Sequence, residues 1–156
     1  MLSHIDSQGN PTMVDVSGKT VSHRTATARS IVSLPKEIMT YLANGDLLTK
    51  KGSVFQTAII AGIMAAKKTG DLIPLCHPLG LDNCEITISI SEEQEVMIDC
   101  TASITAKTGV EMEALVGASI AALTVYDMCK AMSHDIVIKE TKLLSKTGGK
   151  RDFKRA

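Results

Sequence analysis

A carboxylate and an ammonium group lie three positions apart near the end of a long apolar stretch. Asp127 and Lys130 interrupt this stretch, which begins at Ala114. Residues three apart are neighbours on one face of a helix, so a partly buried carboxylate beside an ammonium group can form an acid/base pair. The alternative is a simple ion pair near a helix end, where the helix dipole also favours lysine. The spacing alone leaves both interpretations open.

Two further side chains have types suited to proton transfer or to anion binding. Lys51 precedes a predicted helix whose first N–H groups favour an anion, so the lysine and the helix together could hold a phosphate. His77 lies between Pro74 and Pro78, which stiffen its loop, and imidazole titrates near neutral pH. The alternatives are an exposed lysine in front of a helix and an ordinary loop histidine. Neither residue identifies a reaction by itself.

Other charged residues flank the long apolar stretch. Glu111 has the spacing of a capping-box partner for Thr108, which gives it a structural explanation. Glu113 is about 200° further round the helix, and the cap does not explain it. The basic segment 146–151, which begins with Lys146 and contains two glycines, could fold over phosphates or remain a solvated tail. These residues are therefore candidates for binding rather than evidence of it.

Hydrophobic periodicity and turn residues predict the elements that must position these groups. They are a strand over 21–32, a helix over 35–43, a helix over 53–68 with a Ser53/Gln56 capping box, a hairpin of strands 83–91 and 95–106, a helix over 108–132 and a strand over 136–145. Without the short first helix, the order predicts an α+β fold, a ferredoxin-like βαββαβ sandwich with helices packed on one face of an antiparallel sheet. The long helix is apolar on too many sides for a two-layer domain, which indicates a subunit interface.

The length and the charge balance limit the class of protein. The chain has 156 residues, the usual size of one domain. Its 17 basic and 17 acidic residues balance, so no long-range field attracts nucleic acid or an anionic membrane. The charge-free stretch 114–126 is shorter than the roughly 18 apolar residues of a membrane span. We therefore expect no nucleic acid and no membrane as partners.

The chain ends differ in composition from the middle. Residues 1–20 are polar, include Asp6 and Asp15, and do not resemble a secretory signal, so we expect a cytoplasmic protein. We predict a flexible N-terminal arm over 1–20, a single α+β catalytic domain over 21–146 and a flexible basic C-terminal tail over 147–156.

The four cysteines do not match a metal or disulfide pattern. Cys76, Cys84, Cys100 and Cys129 contain no C-x-x-C pair. Their spacing predicts reduced and mostly buried thiols, and no metal site.

Four stretches of the chain together resemble a known family. They are KGSVFQTAIIAGIMAAKKTGDLIPLCHPL, TGVEMEALVGASIAALTVYDMCKAM, MVDVSGK and LLSKTGGK, and the likeness extends over roughly residues 12–153. The chain resembles the MoaC family of molybdenum cofactor biosynthesis, the cyclic pyranopterin monophosphate synthases. This resemblance implies conversion of 3',8-cyclo-7,8-dihydro-GTP to cyclic pyranopterin monophosphate with release of pyrophosphate. It implies no metal and no organic cofactor, and a homohexamer built as a trimer of dimers with active sites at the dimer interfaces.

The resemblance also implies roles for individual residues. The catalytic residues by position are Asp127, Lys130, Lys51 and His77. The substrate-binding residues by position are Leu75, Cys76, His77, Met112, Glu113, Glu111, Arg24, Lys19, Asp15 and Lys146. The basic groups would neutralise the triphosphate while attack on the α-phosphate expels pyrophosphate, and Asp127 and Lys130 would move protons.

Two points remain open in this mechanism. Lys51 and Lys130, if crowded together, should each lose proton affinity, because like charges disfavour double protonation, and one of them could then act as a base. The rival to an enzyme is a non-catalytic module that senses a small ligand, since βαββαβ domains often form regulatory oligomers and fold does not decide function.

Overall fold

The computed structural model describes residues 3–156. In chain order its elements are β1 (Ser22–Ser33), α1 (Lys36–Met39), β2 (Leu42–Ala43), β3 (Asp46–Thr49), β4 (Gly52–Ser53), α2 (Val54–Ala66), α3 (Thr69–Leu72), β5 (Asn83–Ile90), β6 (Val96–Ala106), α4 (Glu111–Cys129), β7 (Val137–Thr147) and β8 (Phe153–Lys154). Five strands form one sheet in the order β5-β6-β1-β7-β8, with antiparallel neighbours throughout. The prediction of an α+β ferredoxin-like fold is confirmed.

Alternation along the two central strands explains why the helices cover one face. In β1, Ala26, Ala28 and Val32 are fully or almost fully buried, and their neighbours along the strand are not. The same two-residue period occurs in β6, where Ile98 and Cys100 are completely buried. Apolar side chains at every second position form one face of a sheet, and α2 and α4 pack on that face.

Glycine brings the two long helices into close contact. A Cβ atom placed on Gly62 of α2 would lie 2.7 Å from the backbone oxygen of Gly117 in α4 and 2.3 Å from Cδ1 of Ile86. Such distances are below any normal contact, so the helices can approach this closely because Gly62 has no side chain.

We expect Gly62→Ala to destabilise the fold. Overpacking of this kind costs about 1–3 kcal/mol, and the gain in helix propensity on replacing glycine by alanine is at most about 1 kcal/mol. Urea unfolding measures the difference, and Gly80→Ala is the control because nothing lies within 4 Å of a Cβ atom there. Equal midpoints for Gly62→Ala and wild type would contradict the close contact.

The segment after β1 differs from its prediction. The helix expected over 35–43 has one turn only, Lys36–Met39, and the chain then forms a small sheet of strands β2, β3 and β4. Asn44 and Gly45 both have positive φ, so they turn the chain between β2 and β3 rather than ending a longer helix.

The second capping box is also absent. The N-cap of α4 is Val110 and no side chain caps this helix. Within residues 3–156, the hydroxyl of Thr108 is buried without a hydrogen-bond partner. Glu111 pairs with Lys146 of β7 at 2.9 Å instead, so a long-range ion pair replaces the local cap.

Helix α4 is long and apolar enough to span a membrane by length and composition alone, and 56% of its most apolar window is buried inside the domain. The core helix of a globular domain has the same properties. Here α4 contacts α2 and strands β1, β6 and β7, which accounts for its buried side.

The segments predicted as arm and tail make identifiable contacts with the domain. In the arm, the Val14 oxygen lies 2.8 Å from His77 Nε2, and the Ser17 oxygen accepts a 3.1 Å hydrogen bond from Lys107 Nζ. Residues 1 and 2 lie outside the described residues. In the tail, Lys154 of β8 pairs with Ser145 of β7. The flexibility of both segments stays a prediction.

Candidate active site

Three of the four predicted catalytic residues form a lysine–aspartate cluster, Lys51, Asp127 and Lys130, at the C-terminal end of α4. Lys130 Nζ lies 2.9 Å from Asp127 Oδ1. Lys51, in the turn between β3 and β4, places Nζ 3.5 Å from Asp127 Oδ2 and donates a hydrogen bond of 3.0 Å to the Asp127 backbone oxygen. The capping of α2 by the Ser53 side chain, which accepts from the Gln56 amide, was predicted and fixes where this turn meets the helix. Two elements distant in sequence thus bring these charges together.

The electrostatics of the lysine–aspartate cluster correct two predictions. The Asp127 side chain is 58% exposed in the single chain, so the carboxylate is not partly buried. A hydrogen bond from Lys130 and the charges of both lysines lower the pKa of Asp127. The hydrogen bond to Asp127 raises the pKa of Lys130, so the predicted loss of proton affinity is wrong for this lysine. The carboxylate between the two ammonium groups therefore favours the protonated form of Lys130.

A cleft of about 690 Å³ lies at the opposite end of α4. We call it the anion cleft, and its charged and glycine residues are Gly18, Lys19, Arg24, Gly109, Glu111, Lys146, Gly148, Gly149 and Lys150. Gly148 has φ +86°, and a Cβ atom there would lie 1.9 Å from the His23 backbone oxygen, so the chain passes close to β1 only with glycine at this position. The cleft therefore combines four cations with accessible backbone.

One carboxylate organises the cations of the anion cleft. Glu111 Oε1 lies 2.9 Å from Lys146 Nζ. Burial is the largest influence on the pKa of Glu111 and raises it, but the hydrogen bond from Lys146 and the charges of Lys146 and Arg24 outweigh it and lower the pKa. Arg24 is held by a 3.2 Å hydrogen bond from Nε to the Ala106 oxygen. Lys146 and Arg24 are thus held in place, and four cations beside one carboxylate leave net positive charge for an anion.

A smaller cavity of about 230 Å³ adjoins the anion cleft. We call it the loop pocket, and its predicted site residues are Lys19, Leu75, Cys76, His77, Glu111, Met112 and Glu113. Lys19 and Glu111 line both cavities, so the two are neighbours, and we call them together the depression. His77 Nε2 lies 2.8 Å from the Val14 oxygen, which ties the arm to the loop. The carboxylate of Asp15 accepts from the Ser17 amide at 2.9 Å, within the arm.

Glu113 carries its carboxylate into the wall of this depression. The residue is only 4% exposed. Burial is the main cause of a raised pKa for Glu113, and the charge of Glu111 raises it further, although the residue's own backbone amide acts in the opposite direction. The folded state therefore binds this proton more tightly than the unfolded chain does.

We expect Glu113→Gln to change how stability depends on pH. Because the pKa of Glu113 is raised on folding, the wild-type free energy of unfolding falls as pH rises above the unfolded value of about 4.3. Glutamine cannot ionise, so the variant gains stability relative to wild type between pH 4 and pH 7 in this interpretation. Urea unfolding at several pH values measures the difference in free energy of unfolding between the variant and wild type. A difference that does not change with pH would contradict the raised pKa of Glu113.

The four predicted catalytic residues do not meet within one chain. Asp127 lies 16 positions after Glu111 on α4, about 24 Å along the helix axis at 1.5 Å per residue. The lysine–aspartate cluster is therefore at one end of α4, and His77 with the substrate-binding candidates is at the other. The expectation of a site assembled across chains is consistent with this separation.

The sequence did not single out two parts of this arrangement. Thr108 and Gly109 line the loop pocket, whereas the sequence assigned Thr108 to a helix cap and gave Gly109 no role. Asp46 accepts hydrogen bonds from residues on both sides of Lys51. It was missed because Asp46 itself lies in β3 of the small sheet, and no strand was predicted there.

Comparison with known proteins shows which family the chain belongs to. The model of the MoaC family matches residues 13–149. A cyclic pyranopterin monophosphate synthase of Xanthomonas oryzae pv. oryzae is 54% identical over 152 residues, which cover 97% of this chain and 92% of that protein. A molybdenum cofactor biosynthesis bifunctional protein of Synechocystis is 52% identical and aligns with 97% of this chain over 45% of its own length. This chain belongs to the MoaC family.

Proposed function

We propose that this protein is a cyclic pyranopterin monophosphate synthase. It converts 3',8-cyclo-7,8-dihydro-GTP to cyclic pyranopterin monophosphate and releases pyrophosphate, a step of molybdenum cofactor biosynthesis. The observation that carries the proposal is the depression, in which the anion cleft with its four cations adjoins the loop pocket. A triphosphate and a bicyclic base need these two environments next to each other.

The anion cleft performs the phosphate part of the reaction. Lys19, Arg24 and Lys146 neutralise the triphosphate, and His77 acts with them from the adjoining loop pocket. Charge develops on the leaving pyrophosphate when a hydroxyl of the substrate attacks the α-phosphate. Cations that are already ordered stabilise this charge without reorganisation during the reaction.

The lysine–aspartate cluster performs the proton transfers of ring opening and pterin closure. Lys130, whose pKa is raised by Asp127, supplies a proton to the developing amine. Asp127 keeps both lysines oriented, and Lys51 places a second ammonium group beside the reacting ring. The pair Asp127–Lys130 has this role in our proposal rather than that of an ordinary helix-end ion pair.

The active site is completed by a second copy of the chain. The lysine–aspartate cluster of one subunit faces the depression of its neighbour, because the two lie at opposite ends of α4. Apolar side chains on the outer sides of the long helices support such an interface: Ile60 and Met64 of α2 are 60% and 51% exposed, and Leu123 of α4 is 53% exposed. We propose a homohexamer built as a trimer of dimers, with active sites at the dimer interfaces.

The remaining parts of the proposal concern the chain as a whole. The catalytic domain spans 21–146, and the flexible segments 1–20 and 147–156 flank it. The protein works in the cytoplasm without nucleic acid or membrane partners, and without a metal or an organic cofactor. The balance of 17 basic and 17 acidic residues supports a local rather than a long-range attraction for its anionic substrate.

The test is turnover of the proposed substrate. We expect the purified protein to release pyrophosphate from 3',8-cyclo-7,8-dihydro-GTP and to form, in parallel, a product that oxidises to a fluorescent pterin. A coupled pyrophosphate assay and fluorescence detection after oxidation measure the two products. Tight binding without pyrophosphate release would favour the sensor module instead.

A further inference from the structure

One carboxylate closes the small sheet that carries Lys51. Asp46 is the first residue of β3, and its Oδ1 accepts hydrogen bonds from the Leu47 amide at 2.6 Å and the Phe55 amide at 2.8 Å. Its Oδ2 accepts from the Ser53 hydroxyl and from the Gln56 amide, the latter at 3.3 Å. A single side chain therefore joins the start of the β3–β4 hairpin to the first turn of α2.

These bonds enclose the turn in which Lys51 lies. Strands β3 and β4 pair through Thr49 and Gly52, and the Lys51 amide donates to the Thr49 hydroxyl at 3.1 Å. The side chain of Lys51 is 47% exposed, so little packing holds it. Its reach to Asp127 depends on where the backbone of the turn is placed relative to α2 and α4. Asp46 fixes that placement from the other end of the hairpin.

The state of the Asp46 carboxyl group supports this function. Burial would raise the pKa of Asp46, but the hydrogen bond from Ser53 and those from the Phe55, Leu47 and Gln56 amides together lower it. The group is therefore a carboxylate at neutral pH. Hydrogen bonds to a charged acceptor are about twice as strong as those between neutral groups, so the closure is firm.

We infer that Asp46 is a positioning residue for Lys51, holding the β3–β4 hairpin on α2 so that the Lys51 ammonium group reaches Asp127. The inference rests on the proposed function, in which Lys51 is catalytic. Asp46 lies within the hairpin and is not among the residues that line the anion cleft or the loop pocket. It therefore acts through Lys51. Helix capping alone does not explain it, because Ser53 already accepts from the Gln56 amide at 3.4 Å.

The test is a double-mutant cycle with Lys51. We expect Asp46→Asn to lower kcat by about 10-fold to 100-fold with less than about 3-fold change in KM, because a misplaced catalytic group costs rate on this scale. In a Lys51→Ala background the same change should cause no further loss of kcat, since the group that Asp46 positions is gone. Asp46→Glu, which keeps the carboxylate, should recover part of the rate.

Asp99→Asn is the matched control for lost stability. Asp99 forms a two-bond ion pair with Arg29, at 2.6 and 2.7 Å, on the sheet away from Lys51. We expect Asp99→Asn to lower the unfolding midpoint and to leave kcat unchanged. A wild-type kcat in Asp46→Asn, or an equal loss with and without Lys51, would overturn this inference alone. A wild-type protein without turnover would overturn the proposed function and this inference with it.

Discussion

Replacing Asp127 by asparagine is expected to lower kcat by about 10²-fold to 10⁴-fold, the usual contribution of an acid/base group. Asp127 is the acceptor that orients both Lys51 and Lys130 in the lysine–aspartate cluster. Asparagine has nearly the same shape but no charge, so the pKa of Lys130 should fall and its ammonium group should lose its fixed position. Lys51→Ala should cause a loss of similar size.

The fold should not change in these variants. Asp127 is 58% exposed in the chain, and exposed ion pairs contribute about 0–1 kcal/mol to stability. Thermal unfolding and oligomer size should therefore remain near wild type. Glu140→Gln is the matched control, since Glu140 pairs with Lys142 at 3.0 Å on the surface of β7. It should keep full activity. If Asp127→Asn lost its fold together with its activity, the role of Asp127 would be structural.

Mixing two inactive variants is expected to restore activity. Lys51→Ala removes part of the lysine–aspartate cluster, and Lys146→Ala removes part of the anion cleft. We propose that each active site combines the lysine–aspartate cluster of one subunit with the anion cleft of the other. A dimer of the two variants then contains one intact site and one site with both defects. Random mixing gives half mixed dimers, so the activity should return to about 25% of wild type. Co-expression with two affinity tags isolates the mixed dimers, in which one site of two is intact, so their activity should be about 50% of wild type.

A second mixture controls for this result. Lys51 and Asp127 contact each other within one chain, so Lys51→Ala and Asp127→Asn damage the same half of the site. Every site of a dimer mixed from these two variants lacks one residue or the other, and activity should stay low. Equal activity from the two mixtures, or no recovery in the first, would contradict a site shared between subunits.

The sequence predicted the parts of the fold that depend on long periodic segments. The hairpin of β5 and β6 and the helix α2 were predicted within a few residues, because alternation and capping are local signals. Local signals also caused the errors. Thr108 and Glu111 have the spacing of a capping box, but Glu111 pairs with Lys146, 35 positions away in sequence, and a local pattern does not reveal such a partner.

The candidate site was predictable in residue identity and not in arrangement. Motif resemblance selected Lys51, Asp127 and Lys130, and the structure brings these three together. It separates them from His77, because the distance along α4 appears only once the helix is built. The direction of the pKa shift of Lys130 depends on which neighbour is closer, Asp127 or Lys51, and a sequence does not contain that information.

The most direct measurement is phosphorus NMR of the wild-type protein during turnover of 3',8-cyclo-7,8-dihydro-GTP. If the anion cleft holds the triphosphate for attack on its α-phosphate, one pyrophosphate appears for each substrate consumed, and one new cyclic phosphodiester signal appears at the same rate. Release of inorganic phosphate alone would contradict this reaction. Triphosphate signals that stay unchanged while the substrate is bound to the protein would contradict it as well.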